Sequence, residues 1–248
     1  MSAGPNAVIT VENATQRFGE RTIFKDVTFD IKQGEVFVIL GGSGCGKSTL
    51  LKQMIGLLNP TAGRITVAGH DVVNDIAAVR RQIGVMFQSG ALFGSMNLLE
   101  NISLPLAVFT DLPAGARADI ARMKLALVGL ADAALRLPAE ISGGMAKRAA
   151  IARALALDPP ILLLDEPSAG LDPITSAGLD RLILELRATL GATFVVVTHE
   201  LQSILAIADR CVMLDRQAAG MIALGKPREL KASSTIPMVR AFFNRETL

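Results

Sequence analysis

Residues 35–48 read EVFVILGGSGCGKS. The run EVFVIL (35–40) has the nearly continuous apolar character of a strand buried on both faces. The glycine-rich stretch after it matches G-x-x-x-x-G-K-[ST] at every fixed position, and a helix-forming segment follows from Lys47 to about Leu57. A buried strand, a glycine loop and a helix start together form a phosphate cradle. Glycines let backbone N–H groups wrap an anion, the lysine reaches its terminal phosphates, and the hydroxyl beside it suits Mg²⁺. The candidate set is Gly41, Gly42, Ser43, Gly44, Cys45, Gly46, Lys47, Ser48 and Thr49. Cys45 has two readings, a reactive thiol activated by the helix start and Lys47 or a small residue that fills the turn; in either, bound nucleotide is expected to shield the thiol.

The rest of the chain supplies a sheet for this cradle. Val8 to Ile31 reads as strands, with VTFDI alternating apolar and polar residues. RITV (64–67), IGVMF (83–87), ILLLD (161–165) and TFVVVT (193–198) continue the strand pattern. CVMLD and MIALG look like two further strands around Gly220. Between Asn97 and Leu157 alanine, leucine and helical spacing dominate, with breaks expected at Pro105, Pro113 and Pro138. Pro173 suits the first position of a helix running to about Leu190. Strands alternating with helices predict an α/β fold with a parallel core sheet and an inserted helical lobe. In the tail, Met238, Val239, Phe242 and Phe243 share one helical face, which either docks on a partner or packs on the chain's own core.

Two adjacent acids end the strand ILLLD: Asp165, placed to hold Mg²⁺ through water, and Glu166, placed to orient a water in line with a terminal phosphate. Gln88 and His199 stand at the ends of two other strands. In isolation Gln88 is a polar strand terminus and His199 a satisfied core or turn residue; each faces the ligand crevice if the sheet is doubly wound. A second anion-binding pattern lies at EISGGMAKRA (140–149). Ser142, Gly143 and Gly144 open a helix, and Lys147 and Arg148 lie one turn in. Alone this is either a Ser-Gly helix cap or a second phosphate cradle.

Taken in order, the P-loop, Gln88, ISGGM, LLLDE, SAGLD and His199 resemble the ABC transporter ATPases over nearly the whole chain. The resemblance implies a P-loop NTPase of the ABC nucleotide-binding type, with a parallel core sheet, an N-terminal antiparallel β subdomain and an inserted α-helical subdomain. It implies ATP hydrolysis with Mg²⁺ by a head-to-tail homodimer, in which the Ser-Gly-Gly turn of one copy caps the ATP held by the P-loop of the other. By position, Phe18 matches the aromatic that stacks on adenine, although it is not Tyr. Gln88 matches the residue that touches Mg²⁺ or the attacking water, Asp172 the acid that crosses the dimer interface, and His199 the γ-phosphate contact. Ser48, Gln88 and Asp165 form the implied metal set, and Glu166, His199, Lys47 and Gln88 the catalytic one. The expected ATPase domain spans 6–232, its helical part about 91–160, and a helical tail 233–248.

Details narrow the subgroup. The signature reads Ile-Ser-Gly-Gly-Met where the family usually has Leu-Ser-Gly-Gly-Gln, which removes one polar contact across the dimer. SGGM followed by AKRAAIARALALDP, FQSGALFGSMNLLENISLPL (87–106) and DPIT (172–175) are similar to the ATPases of Mla/Mce lipid transporters. That resemblance implies two copies of a multi-spanning permease, a periplasmic ring of lipid-binding domains and a small cytoplasmic accessory domain as partners. It implies phospholipid or a related hydrophobic molecule as cargo, moved between the inner membrane and the periplasm to maintain outer-membrane lipid asymmetry, and a peripheral position on the cytoplasmic side of the inner membrane. The other readings are an importer ATPase for a polar solute such as an amino acid, and a soluble ABC ATPase acting on DNA or ribosomes. The last is disfavoured by a single set of motifs, no heptad run and a net charge of only +2, which also argues against a nucleic-acid partner. No stretch of about 18 apolar residues spans a membrane, and MSAGPNAVIT lacks the pattern of a signal peptide. Two cysteines give neither a disulfide framework nor a CxxC metal pattern, so a reducing compartment is expected.

Overall fold

The computed structural model describes residues 6–246. Residues 1–5, from the opening segment, and 247–248, the end of the expected tail, lie outside the described residues. The chain divides into two units, one made of 6–82 and 193–246, the other of 83–192.

In the first unit, β1 (Ala7–Phe18) and β2 (Arg21–Lys32) form an antiparallel hairpin. With β4 (Ala62–Val67) and β5 (His70–Asp71) they make a sheet of order β2-β1-β4-β5. Its inward residues include Ile9, Val11, Phe24, Val27, Ile31 and Ile65, all essentially without solvent exposure, as alternation in VTFDI foretells. The second sheet of this unit centres on β3 (Val36–Gly41), every residue of which is buried. Parallel neighbours flank it, β8 (Thr193–Val197) on one side and β9 (Arg210–Asp215) on the other. The antiparallel β10 (Gly220–Gly225) covers β9. Burial on both faces explains the apolar runs in β3 and β8. α1 (Lys47–Met54) leaves the glycine loop and stops short of Leu57, because the chain turns at Gly56, whose φ is 64°. α2 (Ile76–Gln82), α7 (Leu201–Ile207) and α8 (Pro227–Ser233) were not evident in the sequence. Each is seven residues, two turns, too short for helical periodicity to show.

α9 (Pro237–Asn244) is the helical tail. Val239 and Phe243 are 0% and 1% exposed, so this face packs against the chain's own unit. Phe242 meets Phe243 edge-on at 5.4 Å.

In the second unit, β6 (Ile83–Met86) and β7 (Ile161–Asp165) pair in parallel. Between them run α3 (Leu98–Phe109), α4 (Ala114–Leu127) and α5 (Gly143–Ala154), with short 3₁₀ turns at Ala131–Ala133 and Pro138–Glu140. α6 (Pro173–Leu190) begins at Pro173 as expected. Pro105 does not break its helix: α3 passes through it. The missing N–H costs one hydrogen bond, but a capping box between Asn97 and Glu100 fixes the start, and Leu98, Ile102 and Leu106 bury one face. Tertiary burial overrides local propensity here.

Candidate active site

The first unit carries the P-loop. Its loop runs off the end of β3 and into α1, so the N–H groups of the first helical turn open toward the cradle. Gly41 has φ 146°, and a Cβ there would lie 2.2 Å from the Leu214 carbonyl oxygen of β9. That position therefore tolerates no side chain. The Lys47 ammonium donates to the carbonyls of Gly41 (2.9 Å) and Gly42 (3.2 Å), lying across its own loop. One cleft is lined by Phe18, Arg21, Ile23, Gly44, Gly46, Lys47, Ser48 and Thr49. The structure places Phe18, half-exposed at 52%, beside the P-loop in this cleft. Arg21 and Ile23 were missed. The available signal was the tight β1–β2 hairpin, which pairs Arg21 with Phe18.

Cys45 is buried, and burial pushes its thiol above the ordinary range despite the opposing charge of Lys47. It fills the turn beneath Gly41 and is not the activated thiol that helix-start chemistry allows. Cys211 is buried likewise, its thiol pushed up to about 12. His199 is exposed just beyond β8.

The second unit carries the carboxylates. Asp165 closes β7 and Gln88 follows β6; together with Phe87, Ser89, Ala169 and Gly170 they line one cleft. Asp165 and Glu166 are both buried, at 9% and 8% exposure. Glu166 has φ 47°, the left-handed region that costs a residue with a Cβ roughly 1–3 kcal/mol. Strain of this kind at a buried acid marks a position fixed by its surroundings.

Ser142 caps α5, accepting from the Met145 N–H at 3.3 Å, while Asp172 caps α6. The Asp172 carboxylate accepts from the Thr175 hydroxyl (2.5 Å) and from the N–H groups of Ile174 and Thr175 (3.0 Å each). These hydrogen bonds, the Thr175 hydroxyl foremost, hold its carboxyl below the usual range. A Cβ at Gly144 would sit 2.5 Å from the Thr175 methyl carbon. The second signature glycine is therefore required by packing inside the chain, against the turn that Asp172 organises. Ser142 and Gly143 are exposed at the start of α5.

The two cations one turn into α5 do not front its N-terminus. The buried Lys147 ammonium donates to the Gln88 carbonyl (2.5 Å) and lies 3.4 Å from the Glu166 carbonyl. Burial lowers its pKa, opposed by the nearby Glu166 and Asp165 charges. The Arg148 guanidinium donates to the carbonyls of Val128 and Gly178, both at 3.3 Å. Among the described residues no cluster of three or more His, Cys, Asp or Glu side chains offers a metal cage. No helix among them is long and apolar enough to cross a membrane.

Comparison with known proteins agrees with these motifs. The family model described as ABC transporter matches residues 24–169. The probable ribonucleotide transport ATP-binding protein mkl of Mycobacterium leprae is 45% identical over 240 residues, covering 95% of this chain and 68% of that protein. The chain thus spans about two thirds of the mycobacterial relatives it matches. The intermembrane phospholipid transport system ATP-binding protein MlaF of Escherichia coli K12 is 41% identical over 231 residues, covering 91% of this chain and 84% of MlaF. The dimeric post-hydrolysis structure of the ATP-binding cassette MJ0796, bound to ADP and Pi, superposes with a TM-score of 0.78 at 32% identity, covering 88% of this chain and 98% of that one. The α/β P-loop architecture, the ordered motifs and these matches together establish that the chain belongs to the ABC transporter family, as an ATP-binding, ATP-hydrolysing subunit.

Proposed function

We propose that this chain powers the movement of phospholipid, or a related hydrophobic molecule, between the inner membrane and the periplasm. It works as a head-to-tail homodimer beneath a multi-spanning permease. The observation that carries the cargo assignment is the 41% identity to a phospholipid transport ATPase across 91% of this chain. The SGGM and FQSGALF segments support the same subgroup.

In this reading each side chain has one task. The Phe18 ring stacks on adenine. The backbone from Gly41 to Gly46 wraps the phosphates, Lys47 neutralises their charge, and Thr49 extends the cradle. Mg²⁺ is assigned to Gln88 and Asp165, which share a cleft, and to Ser48 of the P-loop, since each offers the hard oxygen donor that this ion prefers. The metal supplies charge neutralisation on the phosphates. Glu166 orients and deprotonates the attacking water, and His199 contacts the γ-phosphate. Ser142 and Gly143 present the start of α5 to the nucleotide of the partner copy, with Asp172 beside them. Closure on ATP and loosening after hydrolysis then drive the permease. A peripheral position on the cytoplasmic face, an accessory cytoplasmic domain and a periplasmic lipid-binding ring complete the proposed assembly.

A second reading, transport of a polar solute, draws on the mycobacterial relative's name as a ribonucleotide transport protein. Purification of the chain from gently solubilised membranes, with mass spectrometry of proteins and lipids, separates the two. A co-purifying permease with lipid-binding ring and enriched phospholipid supports lipid transport. A soluble polar-solute binding protein without enriched lipid overturns it.

A further inference from the structure

Among the second unit's backbone positions in the left-handed region are three beside Gln88 and Asp165: Gly90 (φ 75°), Ala91 (φ 50°) and Glu166 (φ 47°). Two of them carry a Cβ and are strained. The carbonyl oxygens of all three are held by cations projecting from one helix, α5. Arg153 donates to Ala91 at 2.6 Å and to Gly90 at 2.9 Å. Lys147 donates to Gln88, two residues before this turn, and reaches the Glu166 carbonyl, which also accepts from the Ala169 N–H at 3.2 Å. Gly90 lies close to α5, since a Cβ there would come within 3.4 Å of the Ala150 methyl. Burying an ammonium is costly, and burial does depress both cations' pKa values. That cost is met by fixing carbonyls beside two residues assigned to hydrolysis.

We propose that Lys147 is a positioning residue for ATP hydrolysis: it locks the main chains of Gln88 and Glu166 to α5, with Arg153 securing the turn after Gln88. This rests on the assignment of Gln88 and Glu166 to the chemistry. Lys147 sets where those side chains emerge and takes no part in holding nucleotide. Its loss therefore acts on turnover and spares affinity. A displacement near 1 Å of a group orienting the attacking water costs on the order of 100-fold in rate.

The test compares Lys147→Met, which keeps the stem and removes the donor, with Lys147→Arg, which keeps donors and charge. The full chain is assayed for kcat, KM for ATP, binding of a fluorescent ATP analogue and thermal midpoint, alongside Glu166→Gln. The expected result is a fall in kcat of roughly 10- to 100-fold in Lys147→Met. KM and analogue affinity stay within about twofold, and Lys147→Arg recovers most of the turnover. If Lys147→Met does not fold, Lys147→Leu, also free of any donor, carries the same comparison. The proposal is overturned if turnover stays near wild type in the donor-free variant. It is also overturned if kcat and nucleotide-binding capacity fall together, the mark of a merely structural role. Turnover surviving in Glu166→Gln instead overturns the underlying assignment of Glu166.

Discussion

Replacing Gly144 by alanine separates a packing requirement from a nucleotide-binding one. The added Cβ would lie 2.5 Å from the Thr175 methyl carbon, well inside van der Waals contact. Thr175 cannot simply turn away, because its hydroxyl donates to Asp172 at 2.5 Å. Overpacking of this kind costs about 1–3 kcal/mol. Against it stands the gain from replacing glycine in a helix, about 1 kcal/mol. Gly144→Ala is therefore expected to destabilise by about 0–2 kcal/mol, lowering the thermal midpoint by at most about 8 °C in a chain of this size. Thr175→Ser removes the methyl and keeps the hydroxyl. In that background Gly144→Ala should become neutral or stabilising. A double-mutant cycle by urea unfolding would then give a coupling of about 1–3 kcal/mol. Additive effects, or a stabilised Gly144→Ala single variant, would refute the argument that Thr175 dictates glycine at this position.

Three further outcomes follow from burial and hydrogen bonding. Native Cys45 should react with iodoacetamide at less than about a tenth of a free thiol's rate, with or without Mg-ATP, because its thiol is both buried and raised; rapid labelling of the folded protein at Cys45 contradicts this. Phe243→Ala should cost about 3–5 kcal/mol in a chemical melt, since a fully buried ring is lost. Unchanged monomer stability would instead mean that α9 serves only a partner. Asp172 contributes its helix cap fully above the ordinary aspartate range, near pH 4. It loses that contribution as pH falls through its depressed folded value. As pH falls below about 4 the wild type should lose more stability than Asp172→Asn, whose cap does not titrate; parallel losses would remove Asp172 from this role.

The sequence foretold most where chemistry and periodicity coincide. EVFVILGGSGCGKS announces strand, loop and helix in contiguous residues, and Pro173 marks the start of α6. It misled at Pro105, where burial of Leu98, Ile102 and Leu106 carries the helix past a local breaker. It also misplaced Lys147, set one turn into an anion-binding helix start whereas its ammonium turns inward to Gln88 and Glu166. The partners of that ammonium are main-chain carbonyls 59 and 19 residues away, and carbonyls carry no sequence signature. Gly144 was legible as a small residue, but its reason was not, since only the fold brings Thr175 against it. Cys45 illustrates the converse. A helix start and a neighbouring lysine allow an activated thiol, yet burial reverses the shift.

Glu166 is the residue on which the account of hydrolysis depends, and Glu166→Gln tests it most directly. Single-turnover hydrolysis of ATP, ATP binding and oligomeric state are to be measured on the full chain. The account predicts that the variant binds ATP, accumulates as a closed dimer and hydrolyses at least about 100-fold more slowly than wild type. Turnover near the wild-type rate, with no ATP-dependent dimer, would contradict it.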